Sequence, residues 1–181
     1  QAEIKHIDNA FSLYLNGLAE DARYLAESPA IKRLTADTNH YMAEEKTTFS
    51  QLEGNIEAEA FALMNAFGEA RPDLAYVFLG LETGGYIQWP KGKLGNYDPR
   101  KRPWYQAAIS KPGEIVRPPV YEDLTTKAPL IDYLHTFTTQ SGLEGVIGLD
   151  VSLNKLTEMV QKVHFGQDGY LILIEDKIGR A

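Results

Sequence analysis

The spacing of apolar residues changes period along this chain, and each change predicts an element. Between residues 2 and 28, Ile4, Ile7, Phe11, Tyr14, Leu18, Ala22 and Leu25 recur every three or four positions, close to a 3.5-residue period. That predicts one long helix whose stripe buries against a sheet or a partner helix. Its length and place fit the continuation of an upstream membrane helix. Ser28-Pro29 ends it, and residues 30–34 add a turn or two. A second helix is predicted over 48–67, with Phe49, Leu52, Ile56, Ala60, Leu63 and Phe67 on one face, Gly68 as its cap and Arg71-Pro72-Asp73 as a turn.

From Leu74 onward the pattern is that of strands. Residues 75–81 form an apolar run of strand length, 82–85 a Gly-containing turn and 86–89 a second strand, which together read as a hairpin. A Gly/Lys loop over 90–96 leads into a Pro-punctuated segment, and Pro103 opens a short helix to about residue 110. Residues 116–121 are extended, with Pro118-Pro119 confining them to an edge. Strands follow at 129–138 and 145–151, then a helix over 152–163 with Leu153, Leu156, Met159, Val160 and Val163 inward, and a last strand at 169–175. The order predicts an α+β fold, an antiparallel sheet with helices packed on it. The last strand has no partner in view, which suggests the start of a second module.

Composition narrows the function. The chain has 181 residues and a formal net charge of -7, which argues against nucleic acid as a partner. No cysteine is present, so disulfides and thiolate chemistry are excluded. No apolar run approaches the roughly 20 residues of a membrane span. The opening Gln-Ala-Glu carries neither an initiator Met nor a signal peptide, and the expectation is a soluble part of something longer. His6, His40, His135 and His164 fit no metal-ligand spacing, and no serine or threonine sits in a nucleophile elbow. The expectations are therefore no metal, no cofactor and no enzyme.

The chemistry concentrates in residues 96–107, which hold two arginines, a lysine, two tyrosines and a tryptophan. Arg102, Trp104 and Tyr105 fall at a loop-to-helix junction, where unpaired backbone N–H groups favour an anion. The Arg102 guanidinium adds a planar fork suited to a carboxylate, and the two aromatic residues add flat walls with one polar edge each. A solvated loop followed by ordinary core aromatics fits the same residues. Two further candidates are Tyr121, ahead of Glu122-Asp123, and Asp150, at a strand end before a helix. An aspartate facing a pocket there binds an ammonium group, and the spacing supports helix capping equally well. The site predicted from these residues takes a small anionic or zwitterionic molecule.

Tyr97-Asp98-Pro99-Arg100-Lys101-Arg102-Pro103-Trp104-Tyr105-Gln106-Ala107 resembles the signature loop of double Cache sensor domains, the PAS-like extracytoplasmic ligand-binding regions of bacterial chemoreceptors and sensor kinases. The strand–Gly-turn–strand at 74–89, the step Val146-Ile147-Gly148-Leu149-Asp150-Val151-Ser152-Leu153, the strand at 169–174 and the long first helix resemble the same family. The resemblance implies a signalling and dimerisation helix over 1–40, a membrane-distal ligand-binding module over 41–165 and the start of a membrane-proximal module over 166–181. It also implies the amino-acid-binding subgroup, with Arg102 and Trp104 holding the ligand carboxylate with help from Tyr121, Tyr97 and Asp150 holding its ammonium, and Tyr105 shaping the pocket. The expected setting is the periplasmic part of an inner-membrane receptor for chemotaxis or other signal transduction, homodimeric through the first helix. Residues 121–138 depart from the family's Gly-rich turn and plain apolar strand, which leaves the side-chain pocket open. An amine sensor, an organic-carboxylate sensor and a dimerisation module without a ligand remain as alternatives.

Overall fold

The computed structural model describes residues 2–48, 55–123 and 125–161, with the side chains of residues 3, 4, 7 and 159–161 outside that description. The elements in order are α1 (Ala2–Glu27), α2 (Pro29–Lys32), β1 (Lys46–Thr47), α3 (Ile56–Ala70), β2 (Leu74–Leu81), β3 (Tyr86–Trp89), β4 (Lys93–Leu94), a 3₁₀ turn at Pro99–Lys101, α4 (Pro103–Ile109), β5 (Tyr121–Glu122), β6 (Pro129–Thr138), β7 (Glu144–Ser152) and α5 (Leu153–Gln161). Five strands form one antiparallel sheet in the order β3-β2-β7-β6-β5, and β1 pairs with β4 apart from it. The α+β expectation holds.

Side chains alternate across a pleated sheet, so the two faces are read directly from the strands. One face carries Val77, Leu79, Leu81, Ile131, Tyr133, Ile147, Leu149 and Val151, and packs on Leu15, Leu18, Ala22 and Leu25 of α1 and Ala60 and Met64 of α3. The other carries Phe78, Leu134 and Val146, and packs on Trp104, Tyr105 and Ala108 of α4 with Tyr41 and Tyr86. The same alternation places Tyr76, Asp132 and Asp150 on this second face. Register lines them up as neighbours, because Asp150 pairs with Tyr76 on one side and Asp132 on the other.

Several boundaries differ from the sequence reading. The second helix starts at Ile56, where the Asn55 side chain accepts from Ala58 N at 2.9 Å as its N-cap. Thr48 is not helical; its N–H donates to Gly92 O at 2.8 Å. Phe49 and Leu52 of the predicted stripe lie outside the described residues, as does everything from residue 162 onward, the predicted strand at 169–175 included. The helix also runs past Gly68. A Cβ at that position would collide with the Trp89 indole, so the glycine permits a close helix–strand approach rather than ending the helix. The fully buried residues of α3 are Glu57, Ala60, Met64 and Gly68; Leu63 and Phe67 of the predicted face pack half-buried on the same core, and Ile56 is exposed. The extended piece before β5 touches the sheet through Val116, which exchanges two backbone hydrogen bonds of 2.9 Å with Leu134.

Gly148 gives a direct test of packing behind the site. It lies between Phe78 and Leu134 in register, and a Cβ there would stand 2.5 Å from Phe78 Cζ and 2.7 Å from Leu134 Cδ2. The Phe78 ring is held edge-on to Trp104 at 4.8 Å. Gly148→Ala is expected to destabilise the domain by about 1–3 kcal/mol through overpacking. Chemical denaturation of the two proteins reads the difference; equal midpoints would contradict this account of the packing.

Candidate functional site

A cavity of about 480 Å³ opens on the second face of the sheet, within the range of roughly 300–1,000 Å³ usual for small-molecule sites. Its floor is Tyr76 and Phe78 of β2, Leu130 of β6 and Asp150 of β7, and Tyr86 and Gln88 of β3 flank it. The turn into β4 brings Lys91 and Lys93 to its wall, the Pro-punctuated loop brings Tyr97, Arg102 and Trp104, and the segment after β5 brings Asp123 and Thr125 beside Tyr121. Five of the six candidates, Tyr97, Arg102, Trp104, Tyr121 and Asp150, therefore line one hollow.

Tyr105 does not line it. The ring stands against the Trp104 indole, with centroids 5.7 Å apart at 72°. Burial, then the negative charges of Glu82 and Glu144, push its pKa up to about 12. Adjacent helix residues cannot face the same way, so Trp104 and Tyr105 divide the work: one walls the cavity and the other braces it.

The loop reaches this geometry through its own polar contacts. Asp98 caps the 3₁₀ turn, accepting from Arg100 N at 3.1 Å, and takes the Arg100 guanidinium in a two-point grip of 2.8 and 2.9 Å. The Arg100 side chain, first by hydrogen bonding, holds the Asp98 carboxyl below its usual range. Arg100 is thereby committed to the loop. Arg102 has no ion pair among the described residues; its guanidinium lies 5.6 Å from the Tyr97 ring centroid, and its Nε is buried with no hydrogen-bond partner there. Trp104 Nε1 donates to the Tyr97 hydroxyl at 3.1 Å, and Tyr97 packs on Tyr86 at 4.7 Å. Burial raises the pKa of Tyr97 and, more strongly, of Tyr86, so both present neutral hydroxyls.

The opposite character gathers at Asp150. Tyr121 Oη contacts Asp150 Oδ2 at 2.9 Å and Asp132 Oδ1 at 3.1 Å. Burial and these two carboxylates push its pKa far above that of a free tyrosine, so the hydroxyl acts as a donor. Asp123 accepts from Tyr76 Oη at 3.3 Å, Thr126 Oγ1 at 2.6 Å and Thr125 N at 3.0 Å, which fixes the turn before β6. Burial, then the facing Asp132, raises the Asp150 carboxyl well above its ordinary value. Tyr121 thus contacts the two aspartates, and Tyr97 lies beside the Arg102 guanidinium.

Asp132, Asp123 and Tyr76 were missed by sequence reasoning. Asp132 left a trace: it interrupts the alternating Leu130, Leu134 face of a central strand, where an aspartate costs free energy unless partnered. Among the described residues no cluster of histidine and acidic side chains could hold a metal ion, and no helix is long and apolar enough to cross a membrane.

The family model described as the methyl-accepting chemotaxis protein-like, first PDC sensor domain matches residues 40–158. The chain belongs to that family. The match covers every site residue named above. Among relatives, the chain is 28% identical over 169 residues to methyl-accepting chemotaxis protein McpB of Bacillus subtilis, which takes in 92% of this chain and 23% of McpB. The chain therefore spans about a quarter of that receptor's length. Among solved structures, the ligand-binding domain of Campylobacter jejuni chemoreceptor Tlp3, in complex with 4-methylisoleucine, superposes with a TM-score of 0.64 at 18% identity, covering 87% of this chain and 58% of that one. The ligand-binding domain of Pseudomonas aeruginosa amino acid chemoreceptor PctC, in complex with GABA, gives 0.61 at 22% identity, covering 86% and 63%. At such identities the likeness speaks for the fold, and this PDC sensor domain has the Cache-type architecture that its loop resembles. The family is one of sensors rather than enzymes.

Proposed function

We propose that this PDC domain binds a free amino acid or a close relative by its two charged ends. The observation that carries the reading is that Arg102 and Asp150 line the same cavity. Arg102 receives the α-carboxylate, with Trp104 and Tyr97 beside it; Asp150 receives the α-ammonium, with Tyr121 beside it. A zwitterion needs both partners, since a charge left unpaired in a sheltered site is costly. That solved relatives of the same fold hold 4-methylisoleucine and GABA supports this class of ligand.

The wider setting is part of the proposal. Residues 41–165 form the membrane-distal sensing module of an extracytoplasmic receptor region, residues 1–40 its signalling and dimerisation helix, and residues 166–181 the start of a proximal module. Leu13, exposed on α1, supports a helix–helix contact between two copies, and chemical cross-linking of the full-length receptor tests it. Closure on the ligand biases that helix pair by the difference in affinity between two states.

A second reading is favoured by Asp123 and Asp150 on the cavity wall: a ligand that is an amine without a carboxylate. A thermal-shift and calorimetric panel of the twenty common amino acids, with matched amines, separates the two. Saturable heat and a raised melting temperature with at least one amino acid, but not with its amine, is the expected result. Binding of the amine alone would favour the second reading, and no response to any member would contradict both.

A further inference from the structure

We infer that Asp132 and Asp150 hold a single proton between them, so that the pair presents one negative charge to the cavity, and that Asp132 is a positioning residue acting through Asp150. The two are cross-strand partners on β6 and β7, and both are buried, 1% and 3% exposed. Directly paired residues of an antiparallel sheet have Cβ atoms about 4.5–5.5 Å apart, which brings their carboxyl groups together. A single tyrosine hydroxyl, Tyr121, serves both, and it has one hydrogen to give. Asp132 Oδ2 and Asp150 Oδ1 are buried without any donor among the described residues. No lysine, arginine or histidine forms an ion pair with either one there.

Two buried carboxylates that share one hydroxyl, with no ion pair to either among the described residues, cannot both stay ionised. The groups around them do not relieve the repulsion. Asp123 adds negative charge to Asp150, while Tyr121, Tyr76, Tyr86 and Tyr97 are neutral; Arg102 stands beside Tyr97, and Lys91 and Lys93 on the cavity wall form no ion pair with Asp150 or Asp132. A hydrogen bond between the two carboxyl groups satisfies the orphaned oxygens, and it requires one proton. Burial and the facing carboxyl both push the titration of the pair upward, in agreement with this arrangement. Asp132 is not on the cavity wall. Its role is to keep one carboxylate's worth of charge where a ligand ammonium would sit. That last step rests on the amino-acid reading; the shared proton does not.

Infrared spectroscopy of the protein labelled with ¹³C-carboxyl aspartate, without added ligand, tests the inference. The wild type should show the C=O stretch of a protonated carboxyl at pH 7, and the D132N/D150N double variant should lose it. In D132N, the pH at which the band disappears should fall by roughly one unit or more, because the neighbour that holds the proton in place is gone. Absence of the band from the wild type at pH 7, its survival in the double variant, or an unchanged midpoint in D132N would each overturn the proposal. The wild-type spectrum decides the first of these even if a variant fails to fold. A band that behaves as stated while no amino acid binds would retain the shared proton and reject the ligand assignment.

Discussion

Asp150→Ala is expected to weaken amino-acid binding by about 2–5 kcal/mol, roughly 30-fold to several thousand-fold, with little change in affinity for a ligand that lacks the ammonium group. The ammonium would enter a sheltered site and find no carboxylate in contact. Asp132 remains behind the gap, buried and bonded to Tyr121. It is one side chain further from the ligand, so the loss should fall toward the lower end of that range. Stability of the protein without ligand should move the other way. The folded-state pKa of Asp150 is raised by burial and by Asp132. A carboxyl with a raised folded pKa stabilises the native state below its unfolded pKa, and that contribution disappears as pH rises through the folded value. Removing Asp150 should therefore raise the melting temperature more at pH 8 than at pH 5. Calorimetric titration and melting curves at the two pH values check both parts; tight binding by the variant, or a melting temperature lowered more at pH 8, would contradict them.

Arg102→Ala should cost a comparable 2–5 kcal/mol, now for any ligand with a carboxylate. Arg100, two residues away, cannot substitute, because its fork is engaged by Asp98. Arg102→Lys keeps the charge but offers a point donor in place of a planar fork, so it should recover only part of the affinity. The contact of Arg102 with the Tyr97 ring is also lost in the alanine variant, and circular dichroism is needed to show that the loop region still folds. Together the two alanine variants separate the ends of the ligand: Asp150→Ala should spare carboxylic acids, and Arg102→Ala should spare amines.

Much of the fold was legible because period and punctuation agree with each other. The long helix, the hairpin and the strands at 129–138 and 144–152 each carry enough residues for the pattern to show. The two-residue strands β1 and β4 do not, and they exist only as partners of each other. The end of α3 differs from the expectation because a glycine near a helix end usually marks a cap, whereas Gly68 is small to admit Trp89. That information lies in a contact twenty-one positions away in sequence.

The site shows the same division. The loop chemistry pointed to Arg102 and Trp104, and both line the cavity. Tyr105 follows Trp104 in the helix and stands against the indole rather than on the cavity wall, since successive helix residues point in different directions. Asp132 was passed over because its meaning comes from register: only the pairing of β6 with β7 sets it beside Asp150. The sharing of Tyr121 and Tyr97 between the acidic and basic ends likewise depends on hydrogen bonds to Asp150 and Trp104 that no spacing encodes.

A ligand gripped by opposite charges at its two ends should suffer from the loss of either charge. Isothermal titration of the wild-type domain with three matched compounds reads this: the amino acid picked out by the panel, its N-acetyl derivative and its decarboxylated amine. The account predicts one saturable site for the free amino acid and a loss of at least about tenfold for each of the other two. An N-acetyl derivative that binds as tightly as the parent would contradict it, because the ammonium would then have no part in recognition.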